Sequence, residues 1–142
     1  MQERSYLNGR VLKWCLPVIE GNPAVDAPRL KRLALPQGEL AHFSDGENIE
    51  YIAFVELRPG GTRGNHFHQK KEEAVYVIRG EMVLIVQDVW TGERDALTLE
   101  TGDLAVVSTQ IAHAYQTRRP GDAVEFSKAR FDAADVYRFP LI

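Results

Sequence analysis

Several features are scarce in this 142-residue chain, and each scarcity excludes a class of protein. The only cysteine, Cys15, has no second thiol with which to form an internal disulfide. No apolar run approaches the roughly 18 residues that a membrane-spanning helix needs, and Met1 leads into no apolar region of the kind found in a signal peptide. We therefore expect a cytoplasmic protein that has no membrane partner.

Excess charge of either sign is also absent. The chain has 17 basic and 20 acidic residues, a net charge of -3, and no block of lysine or arginine. Proteins that bind nucleic acid usually carry a basic patch, so we predict no nucleic-acid partner. The length fits one domain with a single core, since domains most often run about 100 to 150 residues.

Prolines and turn residues divide the chain into two unequal parts. Pro17, Pro23, Pro28 and Pro36 interrupt the early apolar runs, which predicts an extended arm over residues 1–36 with one or two edge strands. This arm would pack on the remainder or on a partner subunit. Nine short strand-like runs follow in residues 37–142 and predict an all-β domain. The runs cover residues 39–44, 50–58, 62–68, 73–79, 81–88, 94–100, 104–108, 113–118 and 123–130.

Two of these runs, residues 74–78 and 82–86, are apolar without alternation, which is typical of strands covered on both faces. A barrel or a two-layer sandwich would supply that cover, and a second copy of the chain would extend it, so we expect a homodimer. Arg79-Gly80 and Pro120-Gly121 are predicted hairpin turns. Asp132 is a candidate N-cap for one short C-terminal helix in residues 131–137.

Three of the chain's four histidines, together with one glutamate, are arranged as candidate metal ligands. His66 and His68 are two residues apart and would project from the same face of a strand. Glu73 and His113 begin two other predicted strands, and antiparallel neighbours would bring them beside the first pair. Three imidazoles and a carboxylate suit one divalent transition metal ion, and Zn²⁺, Fe²⁺, Ni²⁺, Mn²⁺ and Cu²⁺ all remain open.

Other assignments of these residues compete with this one. Glu72 competes with Glu73 as the carboxylate ligand, but Glu73 has the better spacing to Gly80. Without a metal, the three histidines would have to be buried residues that hydrogen-bond to their surroundings, because unpaired buried polar groups cost about 1 to 3 kcal/mol each. His42 lies outside the pattern and is interpreted as a surface or strand-edge residue.

The pattern resembles the two sequence motifs of the cupins. Gly60, His66, His68, Glu73 and Gly80 have the spacing of the first motif. In the second motif Gly102 and His113 are present, whereas Ser108 and Gln110 stand where the family has proline and glycine. The resemblance implies the double-stranded β-helix, or jelly-roll, barrel, with the metal held by the motif histidines and glutamate. Because the family's proline and glycine are replaced, the resemblance does not predict the conformation of the loop between Val107 and His113.

A narrower resemblance involves the run Arg63-Gly64-Asn65-His66-Phe67-His68. It is similar to cupin domains of nucleotide-sugar and capsular-polysaccharide enzymes, and more distantly to dTDP-sugar 3,5-epimerases and 3,4-ketoisomerases. This implies that Arg63 contacts the substrate or its phosphate. A divalent ion with one carboxylate ligand also keeps a net positive charge, which favours a small polar or anionic ligand, and Arg63 and Arg58 would add to that charge. Tyr76 and Tyr115 are the candidate proton-transfer residues, although packing in the barrel wall is the competing interpretation for both.

The function predicted from these observations is metal-dependent isomerisation or epimerisation of a keto-sugar or a similar metabolite. Two alternatives stay open. An iron-dependent dioxygenase would use the same ligands. A non-catalytic binding or sensor module would use the barrel only to hold a small molecule, since a fold does not by itself imply an activity.

Overall fold

The computed structural model describes residues 2–142, which form twelve β-strands and one turn of 3₁₀ helix. The strands are β1 (Gln2–Tyr6), β2 (Val11–Cys15), β3 (Val18–Glu20), β4 (Lys31–Leu35), β5 (Gly38–His42), β6 (Tyr51–Leu57), β7 (Thr62–Phe67), β8 (Glu73–Asp88), β9 (Arg94–Glu100), β10 (Asp103–Val107), β11 (Ile111–Ser127) and β12 (Tyr137–Arg138). The 3₁₀ turn spans Ala133–Asp135. The predicted all-β class is therefore confirmed.

Two long antiparallel strands, β8 and β11, organise the molecule. The beginning of β8 and the end of β11 lie in one layer, where β10 and β6 flank them. The end of β8 and the beginning of β11 lie in a second layer, where β9 and β7 flank them. Each long strand thus passes from one layer to the other, as in a jelly roll, and the interior lies between the layers.

The strands cross between layers at two glycines that were predicted to be hairpin turns. That prediction was wrong, because β8 continues through Gly80 and β11 continues through Gly121. A Cβ on Gly80 would lie 2.7 Å from the carbonyl oxygen of Pro120, and one on Gly121 would overlap the carbonyl oxygen of Arg79. The glycines permit the two backbones to approach closely while the strand ladder bends.

Burial along β8 shows how the bend works. In the first half Val75 and Val77 face the interior, and in the second half Leu84 and Val86 do. The inward positions change from odd to even numbers where the pairing of β8 with β11 shifts register, and Ile78 and Gly80 have no partner on β11 there. Both halves then contribute to one core, whose largest members come from both layers.

The N-terminal part is more ordered than the sequence predicted. The hairpin of β1 and β2 extends the first layer, because β2 pairs with β10. β3, β4 and β5 form a separate three-stranded sheet. The expectation of one or two edge strands before residue 36 was therefore too low. The four prolines lie between these strands and interrupt none of them.

The C-terminal residues form the predicted short helix as a single 3₁₀ turn. The side chain of Asp132 accepts a hydrogen bond from the backbone nitrogen of Ala134, which is the capping role expected of it. β12 then pairs with β7. Within residues 2–142, no helix has the length and apolar character required to cross a membrane.

Candidate metal centre

The three predicted histidine ligands lie together in the interior. β7 pairs with β11 so that His66 is opposite His113, and His68 follows at the end of β7 on the same face. One ring nitrogen from each residue lies within 4.8 Å of the others. Two neighbouring strands therefore place three imidazoles around one point, as the spacing predicted.

In two of these imidazoles, a hydrogen bond to the backbone fixes which ring nitrogen carries the proton. Nδ1 of His68 is 2.8 Å from the carbonyl oxygen of Asp135, and Nδ1 of His113 is 3.0 Å from that of Ile111. A carbonyl only accepts hydrogen bonds, so both Nδ1 atoms must carry the proton. Each Nε2 atom is buried and has no hydrogen-bond partner among residues 2–142. This is the arrangement that metal-binding histidines adopt, so the residues fit a cation.

The sequence predicted that Glu73 would lie on a strand next to the histidines. Instead, Glu73 reaches them from the opposite layer. Its Oε2 atom lies 3.1 Å from Nε2 of His113 without hydrogen-bond geometry and 3.3 Å from the hydroxyl of Tyr115, which donates to it. Its Oε1 atom accepts a hydrogen bond from Nζ of Lys71 at 3.3 Å. Both carboxylate oxygens thus already have close partners.

Electrostatics in this cluster favour an ionised Glu73. Burial opposes its ionisation, but nearby His113 and Lys71 outweigh burial and hold the pKa of Glu73 below its usual value. Burial, with the charges of His113 and His68, lowers the pKa of His66 to about 4. His66 is therefore neutral near pH 7, which is the form that binds a metal ion.

A cavity of about 210 Å³ opens beside this cluster. The predicted residues Arg63 and Tyr115 line it together with His66, His68 and Glu73. The Tyr115 phenol is buried, and burial with the Glu73 carboxylate raises its pKa well above the usual value. Tyr115 therefore keeps its proton at neutral pH and acts as a hydrogen-bond donor. Arg63 also borders a second, more open cavity of about 470 Å³, which Arg58 lines as well.

Tyr76 does not belong to this group. It lies on the opposite face of β8 from Glu73, and its ring stacks on Phe43 with centroids 4.4 Å apart. This placement argues against the predicted proton-transfer role, because strand alternation directs residues 73 and 76 to different faces. Glu72 is exposed on the side away from the cavity, and His42 lies on β5.

Sequence reasoning missed several residues that line the cavity. Lys71 is buried, with its ammonium 4.0 Å from the centre of the Tyr51 ring, and Phe131 stands beside Tyr51. Glu125 lies on β11 at the same inward parity as His113, and burial, followed by repulsion from Glu73, raises its pKa. The inward alternation of β11 could have identified Glu125. No comparable pattern marks Lys71 or Phe131.

The loop before His113 is formed without the family's glycine. Gln110 occupies that position with a φ of 67°, the left-handed conformation that glycine adopts most easily. Its backbone nitrogen donates to the carbonyl oxygen of His68 at 2.7 Å, and its side chain accepts from the indole of Trp90 at 3.0 Å. The loop therefore connects to the histidine cluster despite the substitution.

The Arg63–His68 run owes its shape to close packing. Gly64 has a φ of 88°, and a Cβ there would lie 2.6 Å from the carbonyl oxygen of His113. Asn65 follows with a φ of 58°. This irregular pair shifts the β7–β11 register between His113 and Ala114. The shift brings His66 opposite His113.

Comparison with solved structures identifies the fold. A 3,4-ketoisomerase from Helicobacter canadensis has 12% identity and a TM-score of 0.68, over 78% of this chain and 86% of that one. The RmlC epimerase of Mycobacterium tuberculosis has 14% identity and a TM-score of 0.73, over 97% and 72%. The dTDP-6-deoxy-D-glucose-3,5-epimerase RmlC of Legionella pneumophila, in complex with dTDP-4-keto-L-rhamnose, has 11% identity and a TM-score of 0.74, over 96% and 76%. These similarities confirm the predicted jelly-roll fold.

Comparison of sequences identifies the family. A search of curated protein sequences finds no significant match. The sequence profile of the polysaccharide biosynthesis C-terminal domain matches residues 36–127, which is more than half of the chain and includes all four candidate metal ligands. The chain belongs to the polysaccharide biosynthesis C-terminal domain family.

Proposed function

We propose that this protein binds one divalent transition metal ion and isomerises or epimerises a keto-sugar carried on a nucleotide. The observation that carries the proposal is the convergence of His66, His68 and His113 beside a cavity, where the buried Nε2 atom of His68 has no hydrogen-bond partner within residues 2–142 and that of His113 has only the Glu73 carboxylate nearby, at 3.1 Å. Leaving such atoms unpaired is costly, and a cation removes the cost. Glu73 would complete the ligand set.

A metal ion held there would act as a Lewis acid on a carbonyl oxygen of the ligand, and the donor atoms suit Zn²⁺, Fe²⁺, Ni²⁺, Mn²⁺ or Cu²⁺. The protein's own side chains would bind the ligand and position the carboxylate of Glu73. The Arg63 guanidinium at the cavity wall would pair an anionic group of the ligand. Tyr115 would hold the Glu73 carboxylate through its hydroxyl.

Proton transfer next to the carbonyl needs a group that can exchange a proton near neutral pH. Glu125 lines the cavity, and burial together with the negative charge of Glu73 raises its pKa, which moves it toward the working range of a general base. We assign it as the candidate base in place of Tyr76, because its side chain faces the cavity.

The names of the structural neighbours support this choice of chemistry. They include a 3,4-ketoisomerase, an RmlC epimerase and a 3,5-epimerase in complex with dTDP-4-keto-L-rhamnose. Both named reactions move a proton on a carbon next to a carbonyl. The family description, polysaccharide biosynthesis, is consistent with a sugar substrate.

Incubation in D₂O tests the proposal directly. Metal-loaded protein mixed with nucleotide keto-sugars is expected to introduce deuterium at a carbon next to the keto group, measured by NMR or mass spectrometry. Chelated protein is the control and should exchange far less. Absence of exchange across a panel of nucleotide keto-sugars would remove this substrate class. Turnover that stops under argon would instead support the iron-dependent dioxygenase alternative.

We also propose that the protein is a homodimer, with β6 as the contact strand. Its outward residues Ile52 and Phe54 are 65% and 68% exposed, and they adjoin the apolar outer side of β11. Exposed neighbouring apolar residues of this size commonly mark an interface. Sedimentation is expected to give twice the chain mass of 16.0 kDa. Phe54→Glu should shift the protein to a monomer, while Val25→Glu, at another exposed apolar residue, should not.

A further inference from the structure

The C-terminal segment, residues 132–142, contacts the chain on both sides of the histidine pair. Before His66, the side-chain oxygen of Asn65 accepts hydrogen bonds from the backbone nitrogens of Leu141 and Ile142 at 2.8 and 3.1 Å. After His68, the contacts come from Asp135. Between them, the rings of Phe67 and Tyr137 stack with centroids 5.1 Å apart. The segment therefore brackets the strand end that carries two of the candidate ligands.

Asp135 makes the most extensive of these contacts. Its carboxylate accepts hydrogen bonds from three consecutive backbone nitrogens, those of Gln69, Lys70 and Lys71, at 2.9 to 3.3 Å. Its own carbonyl oxygen accepts from Nδ1 of His68 at 2.8 Å. The residue is only 5% exposed. A buried carboxylate that accepts several hydrogen bonds is held in one position, and it holds the backbone nitrogens that donate to it in place as well.

We infer that Asp135 is a positioning residue of the candidate metal centre, holding the His68 ring and the following loop in the geometry that binds a cation. The inference rests on the proposed function, since it assigns a role toward the same cluster. The carbonyl of Asp135 keeps the proton of His68 on Nδ1 and leaves Nε2 free to face the cavity. The carboxylate orders residues 69–71, and Lys71 in turn contacts Glu73.

The short 3₁₀ turn holds Asp135 in position beside the loop of residues 69–71. The backbone nitrogen of Asp135 donates to the carbonyl oxygen of Asp132 at 2.9 Å, so the turn itself presents the residue to the loop. Asp132 lies next to the same turn, and within residues 2–142 its carboxylate accepts a hydrogen bond only from the backbone nitrogen of Ala134. The two aspartates thus differ in their contact with the cluster.

This difference supplies a matched pair of variants. Asp135→Asn and Asp132→Asn make the same chemical change and remove the same charge, three residues apart. Asp135→Asn is expected to raise the dissociation constant for Zn²⁺ by roughly 10- to 100-fold, the usual effect of losing a residue that orients a metal ligand. Asp132→Asn should stay close to the wild-type value, because asparagine also caps helices well.

A second measurement does not depend on metal binding. Asp135→Asn keeps the backbone carbonyl that binds Nδ1 of His68, but it turns an amide NH₂ toward the backbone nitrogens of Lys70 or Lys71, so residue 135 should shift and weaken the carbonyl contact. The ¹⁵N NMR shifts of the His68 ring in metal-free protein should therefore show a protonated Nδ1 in the wild type and in Asp132→Asn, and a mixture of the two tautomers in Asp135→Asn. Identical shifts and equal Zn²⁺ affinity in the two variants would overturn the inference. If the wild type binds none of Zn²⁺, Fe²⁺, Ni²⁺, Mn²⁺ and Cu²⁺ but the ring shifts differ as stated, the proposed function fails and the positioning role stands.

The wild-type protein alone gives a third readout, which decides the matter if Asp135→Asn does not fold. The backbone amides of Gln69, Lys70 and Lys71 should be protected from hydrogen exchange, since the Asp135 carboxylate accepts from all three. Exchange at the rate of an unprotected loop would contradict the inference.

Discussion

His66→Ala is expected to reduce bound divalent metal from about one ion per chain to nearly none, with an affinity loss of more than about 100-fold. The change removes one of three converging imidazoles, which is a larger loss than that of a residue that only orients a ligand. His66 is only half-buried, so the variant should fold. Elemental analysis of protein purified without chelator, followed by Zn²⁺ titration, provides the measurement.

The chain contains its own control for this substitution. His42 is the one histidine outside the cluster, and His42→Ala should keep the full metal content. A general effect of histidine removal on folding or purification would appear in both variants. Equal metal content in His66→Ala and the wild type would contradict the assignment of His66 as a ligand.

Gly121→Ala is expected to destabilise the protein by more than about 3 kcal/mol, a size reached only through a few mechanisms such as a forced backbone clash. The added methyl group would overlap the carbonyl oxygen of Arg79 on the facing strand. Backbone atoms cannot move aside as a flexible side chain does, so β8 and β11 would have to separate where they cross between layers. Chemical denaturation, monitored by intrinsic fluorescence, measures the change in the free energy of unfolding.

Gly92→Ala is the matched control for this change. Gly92 lies in the turn between β8 and β9 with a φ of 79°, and no atom in the described part of the chain lies within 4 Å of its added Cβ, its two chain neighbours aside. That variant has only the left-handed conformation to tolerate, which costs about 1 to 2 kcal/mol. A similar loss of stability in both variants would show that the crossing at Gly121 is less tightly packed than its geometry indicates.

The sequence predicted much of the centre because its geometry is local. The two-residue separation of His66 and His68 places them on one face of any extended strand, whatever surrounds it. The inward parity of β11 includes His113, so the pairing of β7 with β11 was enough to unite the histidines. The route of Glu73 was not predictable in this way, since it approaches from the other layer.

The misread turns show the limit of local patterns. Arg79-Gly80 and Pro120-Gly121 have turn composition, yet both lie inside continuous strands. The competing effect is long-range: β8 and β11 pair along nearly their full length, and each glycine is required by the backbone of the other strand. A single sequence shows where each glycine is, but it does not show which residue of the other long strand lies against that glycine.

The alternation and spacing of residues by themselves determined the all-β class and the candidate ligands, because a strand's two faces follow directly from residue number. Tertiary structure alone decided which faces meet. It placed Tyr76 against Phe43 and away from the cavity, brought Lys71 and Glu125 into the cavity, and placed Asp135 against His68 from 67 positions away. Those contacts depend on how two layers and a C-terminal segment pack, and packing joins residues that no sequence interval relates.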